Sequence, residues 1–538
     1  MVNSTFGSFN VAFSALQASQ MRLGITGQNL ANMNTIGYTR QQLDTVSLHS
    51  ATAISSYMNT NTASIGFGVG ITGVSQIRDP YLDIQYRNQM TAANYSNAMQ
   101  TSLDSLAGIL DESSMKGLRQ AFADIQSTLT TMQDPANALN DAYEVELRNR
   151  MKALTDLFNE ASRKIDEAAN TEYSRLDGES TSMNGAEQTV NSLLQQIGQL
   201  NRQIKQNEVV GQNCLELKDK RNVLLDELSG YLPIEVTYFL DSDHDGIDSN
   251  GNPALNEKYH LDGSGNIIGK KEWSEDLRVD LVYRDANGVP QRLTLIDGTN
   301  GKGAENYGQI SIDKKDDNVY QTFLEVTGAA SAGGQTLPDD SQPLSGGSIQ
   351  ASLSMLKQDG TQANGFIRGY QYYKNQLDTL AKTFVETINA KNSPDPANPQ
   401  NLLKGDTAAS IKVSDEWAAG MVGITAGKDG ATSNILDMLQ AMTDKYDILG
   451  GNSFSGFTNH VSTTLASDSQ TNQNAISSQV TALNGIQNSR DSISGVSMDE
   501  EAANMMMYMS AYNAASRVMT TLDEMLDRLI NNTGVVGR

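Results

Sequence analysis

The spacing of apolar residues constrains the fold of this 538-residue chain more than any other feature of its sequence. In several long segments the apolar residues recur at alternating steps of three and four, which places them along one face of an α-helix. The first of these segments runs to about Leu30, two others cover residues 118–132 and 147–204, and the last covers residues 498–531. The pattern predicts a mainly helical chain, with coiled-coil-like helices at both ends and one rod-like helix of about 60 residues over 147–204.

The hydrophobic period changes from that of a helix to that of a strand between residues 233 and 345. Short alternating runs such as IEVTYFL, LRVDLVYRD and QISIDK are separated by turn clusters such as DGSGN and DANG, a pattern typical of antiparallel strands. Because the helical period resumes afterwards, we predict an antiparallel β-domain inserted into a long-helix bundle. The predicted domains are the terminal helices (1–60 plus 495–538), the long-helix bundle (61–232 plus 346–494) and the β-domain (233–345).

Two helix boundaries are predicted by capping and turn residues. Asp79 followed by Pro80 marks a helix start, because an Asp side chain caps free backbone N–H groups and Pro suits the first turn. A tight reversal is predicted where the first helix ends, since Asn tolerates and Gly readily adopts the left-handed backbone conformation. The residues of this reversal that we select as candidate polymerisation residues are Asn29, Ala31, Asn32, Asn34, Thr35, Gly37 and Tyr38.

The last helix carries an apolar stripe that is too wide for a single partner helix and needs at least two neighbours. Two interpretations are open. The terminal helices either form a hairpin that caps the bundle of their own chain, or other copies of the chain cover both helices and form a polymer. The members of the stripe that we select as further candidate polymerisation residues are Met505, Met509, Tyr512, Met519 and Leu526.

The charge of the chain argues against two classes of partner. With 39 basic and 63 acidic side chains the formal net charge is −24, and such a surface repels nucleic-acid backbones and anionic lipid. No stretch approaches the roughly 18 apolar residues that a membrane-spanning helix needs, and the N-terminus lacks the basic and apolar blocks of a cleaved signal peptide. We therefore predict no nucleic-acid partner and no membrane insertion.

The sequence contains no recognisable catalytic motif. It has no HExxH, GxSxG, CxxC or P-loop pattern, its four histidines are scattered, and its single cysteine cannot form an intramolecular disulfide. The run Asp241, Asp243 and Asp245 matches the first half of a calcium loop, but Asn252 stands where that motif requires a bidentate Glu. We predict neither an enzyme nor a cofactor, and we interpret the run as an acidic turn whose three aspartates are weak metal candidates.

Three segments resemble signatures of a known family. Residues 24–41, GITGQNLANMNTIGYTRQ, resemble the N-terminal signature shared by rod, hook and hook-associated proteins of the bacterial flagellum. Residues 495–530, GVSMDEEAANMMMYMSAYNAASRVMTTLDEMLDRLI, resemble the C-terminal signature of the hook-associated proteins of the hook–filament junction, the FlgK family. Residues 217–229, LKDKRNVLLDELS, are similar to an internal helix of that family, with Asn222 in place of its second acid. The candidate residues that the C-terminal signature adds are Asp499, Glu500, Glu501 and Arg517.

The resemblance implies a structural subunit of the flagellum that polymerises as the adaptor between hook and filament. It implies terminal helices that form an inner polymer tube, a long-helix bundle around this tube and a β-domain outside. The implied partners are further copies of the chain, hook protein, the second junction protein, the filament cap during assembly, and an export chaperone that binds the C-terminal helix. Export through the flagellar type III channel to the extracellular flagellum is consistent with the missing signal-peptide pattern.

Three other functions compete with this one. A rod or hook subunit, as the resemblance implies, would place mostly β-domains on its terminal helices and would lack the extra helical bundle. A calcium-dependent extracellular adhesin would use the β-domain, and the incomplete calcium ligand set weakens it. A polysaccharide hydrolase would need paired carboxylates, and no spacing in the sequence provides them.

Overall fold

The chain is mainly helical in the computed structural model. The structure describes residues 5–48, 68–110, 114–137, 140–178, 185–240, 259–261, 267–270, 275–285, 288–298, 306–329, 344–359, 368–393, 399–425 and 432–532. Among the helices in these ranges we find none whose length and apolar character would let it cross a lipid bilayer. The helices are α1 (Thr5–Ala31), α2 (Pro80–Ile109), α3 (Ser114–Met132), α4 (Asp141–Asp177), α5 (Ala186–Val209), α6 (Leu215–Tyr231), α7 (Ser348–Lys357), α8 (Tyr370–Asn392), α9 (Asp415–Ala418), α10 (Ser433–Ala441), α11 (Phe454–Ser494) and α12 (Met498–Asn532).

The strands form small antiparallel sheets. They are β1 (Gln41–Leu48), β2 (Gly68–Gln76), β3 (Ile234–Leu240), β4 (Tyr259–Leu261), β5 (Ile267–Lys270), β6 (Glu275–Arg284), β7 (Pro290–Asp297), β8 (Gln309–Lys314), β9 (Thr322–Thr327), β10 (Leu403–Lys404) and β11 (Lys412–Val413). Three of them pair in the order β3–β6–β7, and the others form the pairs β1–β2, β4–β5, β8–β9 and β10–β11. Because β3 to β9 lie between α6 and α7, the predicted fold class of a mainly helical chain with an inserted antiparallel β region is confirmed.

The predicted helix start at Asp79 is also confirmed. The Asp79 side chain accepts a hydrogen bond from the backbone N–H of Tyr81 at 2.9 Å. Pro80 occupies the first turn of α2, where its missing N–H would have had no partner within the helix. The local capping rules therefore hold at this boundary.

The prediction of one rod-like helix over residues 147–204 is wrong. The chain forms two helices there, α4 and α5, and the ends of these helices meet at Gly178 and Gly185. Gly178 has a φ of +78°, and a Cβ on it would lie 2.4 Å from the Gly185 nitrogen, so the join requires glycine. The apolar spacing resumes after the join because Ile165 and Val190 enter the same core from the two helices. Periodicity therefore described the buried faces but not the break between them.

The core is centred on four phenylalanines. Phe122 of α3 lies 5.4 to 6.2 Å, centroid to centroid, from three other rings. These rings belong to Phe158 of α4, Phe384 of α8 and Phe454 of α11. The same cluster of buried side chains continues into the strands, for example through Ile310 of β8. The helices and strands therefore share one hydrophobic core.

Helix α5 supplies hydrogen bonds to an edge of strand β8. The Asn191 amide donates to the Ile310 carbonyl at 2.9 Å and accepts from the Ile310 N–H at 2.8 Å. The Glu187 carboxylate accepts from the Ile312 N–H at 2.8 Å. An open strand edge invites pairing with another chain, and these side chains occupy groups that such a pairing would use. The β8–β9 pair is thereby fixed to the helical body.

Helices α2 and α11 pack antiparallel through a polar seam. The Asn472 side chain donates to the Ser96 carbonyl at 2.8 Å and to the Gln100 side chain at 2.9 Å. Because these side chains are buried, each needs its partner, and the bonds fix the alignment of the two helices. We call the segments 80–100 and 469–494 the neck, because they join the helical body to the terminal helices.

Candidate assembly surface

Helices α1 and α12 pack side by side and antiparallel, and we call them the terminal pair. The Arg22 guanidinium lies over the Tyr508 ring, 5.6 Å from its centroid, while Arg40, beyond the end of α1, meets Glu501 in the first turn of α12. Helix α12 packs principally on α1, so the two ends of the chain cover each other on one side. The half-buried α12 residues of this seam follow steps of three and four and are Met505, Tyr508, Tyr512, Ala515, Met519, Leu522 and Leu526.

Apolar side chains also lie outside this seam, on both flanks of α12. Met509 and Ile530 are three heptads apart and lie on one flank, whereas Val518 and Met525 are one heptad apart and lie on the other. Between 49 and 72% of the surface of each of these four side chains is exposed. We call these two pairs of residues the flanks. Helix α1 therefore covers only the centre of the wide apolar stripe of α12.

The reversal after α1 is held by the buried side chain of Asn29. Its Nδ2 donates to the Gln41 carbonyl at 3.0 Å, and its Oδ1 accepts from the Gln41 N–H at 3.0 Å. The same Oδ1 accepts from the Tyr38 hydroxyl at 2.9 Å. One amide therefore folds the start of β1 back beside the helix that precedes it.

The other selected residues of the reversal divide into bonded and exposed ones. The Thr35 N–H donates to the Asn32 carbonyl at 2.9 Å, and the Thr35 hydroxyl donates to the Asn32 side chain at 3.2 Å. Ala31 and Asn34 are exposed. The structure thus places Asn32 and Thr35 in the turn itself and leaves Ala31 and Asn34 at its surface.

Gly37 brings the reversal against helix α6. Its φ of +80° lies in the left-handed region that side chains disfavour. A Cβ at this position would lie 2.2 Å from Cγ2 of Val223, well inside van der Waals contact. Both the backbone conformation and the close approach therefore require glycine here.

The residues after Gly37 are tied to two other helices. Thr39 donates through its backbone N–H and its hydroxyl to the Asp219 carboxylate of α6, at 3.1 and 2.7 Å. The Arg40 guanidinium lies 2.7 Å from Glu501 and 2.9 Å from Glu500 at the start of α12. Glu501 is buried, whereas Glu500 is exposed, so the two ion pairs differ strongly in their environment.

A second group of charges connects the neck to α6. Arg490 of α11 lies 2.9 Å from Asp83 of α2 and 2.7 Å from Asp226 of α6. Asp226 also pairs with Arg87 at 2.8 Å, and Asp83 also pairs with Arg78. Each carboxylate thus joins two arginines from different parts of the chain. We call the charged residues of both groups the anchor cluster: Arg40, Arg78, Asp83, Arg87, Asp219, Asp226, Arg490 and Glu501.

Burial governs the titration of the groups around the reversal. Desolvation raises the pKa of Asp219 above its ordinary value, even though the hydrogen bonds from Thr39 stabilise the charged form. Desolvation, followed by the negative charges of Asp219, Glu216 and Glu501, raises the pKa of Tyr38 to about 12. The reversal is therefore held by a neutral phenol beside carboxylates.

Sequence reasoning missed the anchor cluster. Its members lie in five separated segments, and Glu501 is the one member that we selected. The other charged residues selected with it, Asp499, Glu500 and Arg517, are exposed. A usable signal was present in α2, where Asp83 and Arg87 lie one turn apart and are both buried. Acidic and basic residues are almost never fully buried unless they are paired, so charges on a buried helix face indicate ion-pair partners elsewhere.

The predicted metal candidates Asp241, Asp243 and Asp245 lie outside the described residues. Within the ranges that the structure does describe, no group of three or more His, Cys, Asp or Glu side chains is arranged to hold a metal ion.

Three family models match segments of the chain, and two of these segments correspond to the terminal pair. The model described as flagella basal body rod protein matches residues 9–39, and that described as flagellar basal body rod FlgEFG protein C-terminal matches residues 487–532. These two matches cover α1 with its reversal, and α12 with the end of α11. The model described as flagellar hook-associated protein FlgK helical domain matches residues 91–258.

Relatives named flagellar hook-associated protein 1 match along the length of the chain. The relative from Bacillus subtilis (strain 168) is 27% identical over 557 residues, with 100% of both chains covered. The relative from Escherichia coli (strain K12) is 22% identical over 583 residues, with 97% of this chain and 99% of its own covered. Along its whole length the chain is similar to the FlgK family of flagellar hook-associated proteins. FlgK-family proteins are structural components of the flagellum and not enzymes, which agrees with the prediction from the sequence.

A solved structure is also similar to this chain. The flagellar hook junction protein FlgK from Burkholderia pseudomallei is 20% identical and overlaps 60% of this chain and 46% of its own, with a TM-score of 0.40. The similarity to FlgK proteins rests on the sequence matches.

Proposed function

We propose that this chain polymerises at the junction between the flagellar hook and filament. The observation that carries the proposal is the exposure of both flanks of α12, Met509 with Ile530 and Val518 with Met525. Apolar flanks on both sides of one helix need neighbours on both sides. Since α12 packs principally on α1, these neighbours are other subunits. The printed name of the relatives, flagellar hook-associated protein 1, supports a position next to the hook.

The predicted domains take separate roles in this proposal. The terminal helices (1–60 plus 495–538) form the inner polymerisation domain. The long-helix bundle (61–232 plus 346–494) surrounds it, and the inserted β-domain (233–345) lies outside. The anchor cluster supports this division, because it fixes the terminal pair to the neck at one place and leaves the flanks free for neighbours.

The proposed partners follow from the two ends of such an assembly. They are further copies of this chain, hook protein on one side, the second junction protein on the other, and the filament cap during assembly. Before assembly, the exposed flanks of α12 favour aggregation, and an export chaperone bound to the C-terminal helix would cover them. The subunit reaches the extracellular flagellum through the flagellar type III pathway.

Electron microscopy of cells that lack this protein tests the proposal directly. We expect hooks without filaments, with monomeric filament protein in the medium. The intact gene restores filaments. Filaments of normal length on the hooks of the deletion strain would contradict a role at the junction.

A charge on one flank should stop assembly without unfolding the subunit. In Met509→Asp a carboxylate would enter the interface between subunits without a partner, at a cost of several kcal/mol. The matched control is Ser510→Asp, which adds the same charge one residue away at an exposed polar position. We expect filaments only in the control strain and equal melting temperatures of both purified variants. A clearly lower melting temperature of Met509→Asp would show that Met509 packs within its own chain.

A further inference from the structure

Within the described residues, the methionines of the core and those of α12 outside the seam differ strongly in exposure. Those in the core are at most 4% exposed, whereas those on α12 outside the seam are 53 to 63% exposed. Helix α12 therefore concentrates exposed thioether groups, and two of them, Met509 and Met525, lie on the flanks that the proposed function uses. The core group includes Met115, Met151 and Met355, and the exposed α12 group comprises Met498, Met506, Met507, Met509 and Met525.

An exposed thioether is oxidised by hydrogen peroxide. A lone pair of the sulfur attacks one peroxide oxygen, a sulfur–oxygen bond forms as the oxygen–oxygen bond breaks, and the other oxygen leaves as water with both protons. The sulfur loses two electrons and the peroxide gains them. The product, methionine sulfoxide, is polar where the thioether was apolar, and the rate follows the access of the oxidant to the sulfur.

We propose that Met506, Met507, Met509 and Met525 form an oxidation site that controls assembly. The inference rests on the proposed function, because Met509 and Met525 lie on the two flanks that neighbouring subunits would cover. A sulfoxide oxygen buried there without a hydrogen-bond donor opposes association. Peroxide therefore excludes free subunits from assembly, whereas subunits already assembled are protected by their neighbours. Reduction by a methionine sulfoxide reductase restores the thioether.

The first arm of the test measures the selectivity of the oxidation. The purified full-length chain is treated with limiting hydrogen peroxide, and the sulfoxides are located by peptide mass spectrometry over time. We expect the four α12 methionines to react at least about tenfold faster than Met115, Met151 and Met355. Equal rates in the two groups would overturn the proposal.

The second arm measures assembly onto hooks purified from cells that lack this protein. The test variant combines Met506→Leu, Met507→Leu, Met509→Leu and Met525→Leu, which keep volume and apolar character. The control is Met421→Leu, since Met421 is 72% exposed but lies in the segment after α9. After peroxide treatment we expect the wild type and the control to lose about tenfold in binding, while the four-leucine variant keeps its binding.

The remaining outcomes refute either the oxidation site alone or the proposed function as well. If treated wild type assembles as well as untreated wild type, or if the four-leucine variant loses binding equally, the oxidation site is refuted while the proposed function stands. If untreated wild type does not assemble onto the hooks, the proposed function fails and this inference fails with it.

Discussion

At the scale of single residues, Asn29 shows how a signature segment folds. Its amide bonds both the N–H and the carbonyl of Gln41, as a neighbouring strand would, and it also accepts from Tyr38. Asn29 is 1% exposed, so any loss of these bonds leaves polar groups unpaired inside the protein. The flagellar N-terminal signature therefore contains at least one residue whose role is to fold the chain rather than to contact a neighbour.

Substitution of Gly37 should destabilise the reversal and impair motility. Gly37→Val places a β-branched residue at φ +80° and against Val223, which costs about 1–3 kcal/mol in backbone strain alone. The control is Gly24→Ala, because a Cβ at Gly24 in the middle of α1 meets no atom within 4 Å. Urea unfolding and swimming assays should show a loss only for Gly37→Val. Wild-type motility of that variant would contradict the requirement for glycine.

The raised pKa of Tyr38 makes the stability of the chain fall at high pH. In the unfolded chain the phenol ionises near its ordinary pKa of about 10, whereas in the folded chain its pKa is about 12. The folded state therefore keeps a proton that the unfolded state has lost, and the free energy of unfolding decreases as pH rises from 10 to 12.

Tyr38→Phe isolates this effect, because the other buried tyrosines are present in both proteins. We expect the free energy of unfolding in guanidinium to fall less steeply between pH 10 and 11.5 in the variant than in the wild type. Identical slopes would show that Tyr38 ionises normally in the folded chain.

At the scale of elements, apolar spacing predicted helices well and their joins poorly. It identified α1 and α12 because each buries one stripe of side chains at helical period. It merged α4 with α5 because both bury their stripes in the same core, and only the glycines at 178 and 185 mark the join. A capping signal, by contrast, is local, and Asp79 with Pro80 was sufficient to place the start of α2.

The flanks and the anchor cluster also differ in how far the sequence predicts them. The flanks of α12 follow from the sequence, because the width of an apolar stripe is a property of one helix. The anchor cluster does not, because Asp83, Asp226 and Arg490 meet only after α2, α6 and α11 have packed together. No local pattern specifies which distant charges will become partners.

The ion pair between Arg40 and Glu501 should hold the terminal pair in place. Arg40→Ala leaves the Glu501 carboxylate, 2% exposed, without its ion-pair partner, a change that costs about 3–5 kcal/mol for a buried pair. Glu500→Gln removes only an exposed partner of the same arginine and should cost less than about 1 kcal/mol.

Hydrogen exchange of the α12 amides measures both effects. We expect much faster exchange in Arg40→Ala and nearly unchanged exchange in Glu500→Gln. Equal exchange in the two variants would mean that burial of Glu501 does not depend on Arg40.

At the scale of the whole molecule, the terminal pair contributes little to the hydrophobic core. Within the described parts of the chain, all buried apolar side chains except Ala12 and Ala18 lie between Ala93 and Leu465. A chain reduced to residues 77–494 should therefore melt within about 4 °C of the full-length protein when followed by circular dichroism. A substantially lower melting temperature would show that the terminal pair supports the body.

The antiparallel pairing of α1 with α12 has a consequence for the timing of synthesis. Arg40 and Glu501 are 461 residues apart, so the first helix leaves the ribosome long before its partner does. At about 5–20 residues per second, α1 waits roughly 20 to 90 seconds for that partner. A prematurely terminated chain never presents α12 with its two flanks. Only translation through α12 yields a molecule that holds both helices of the terminal pair.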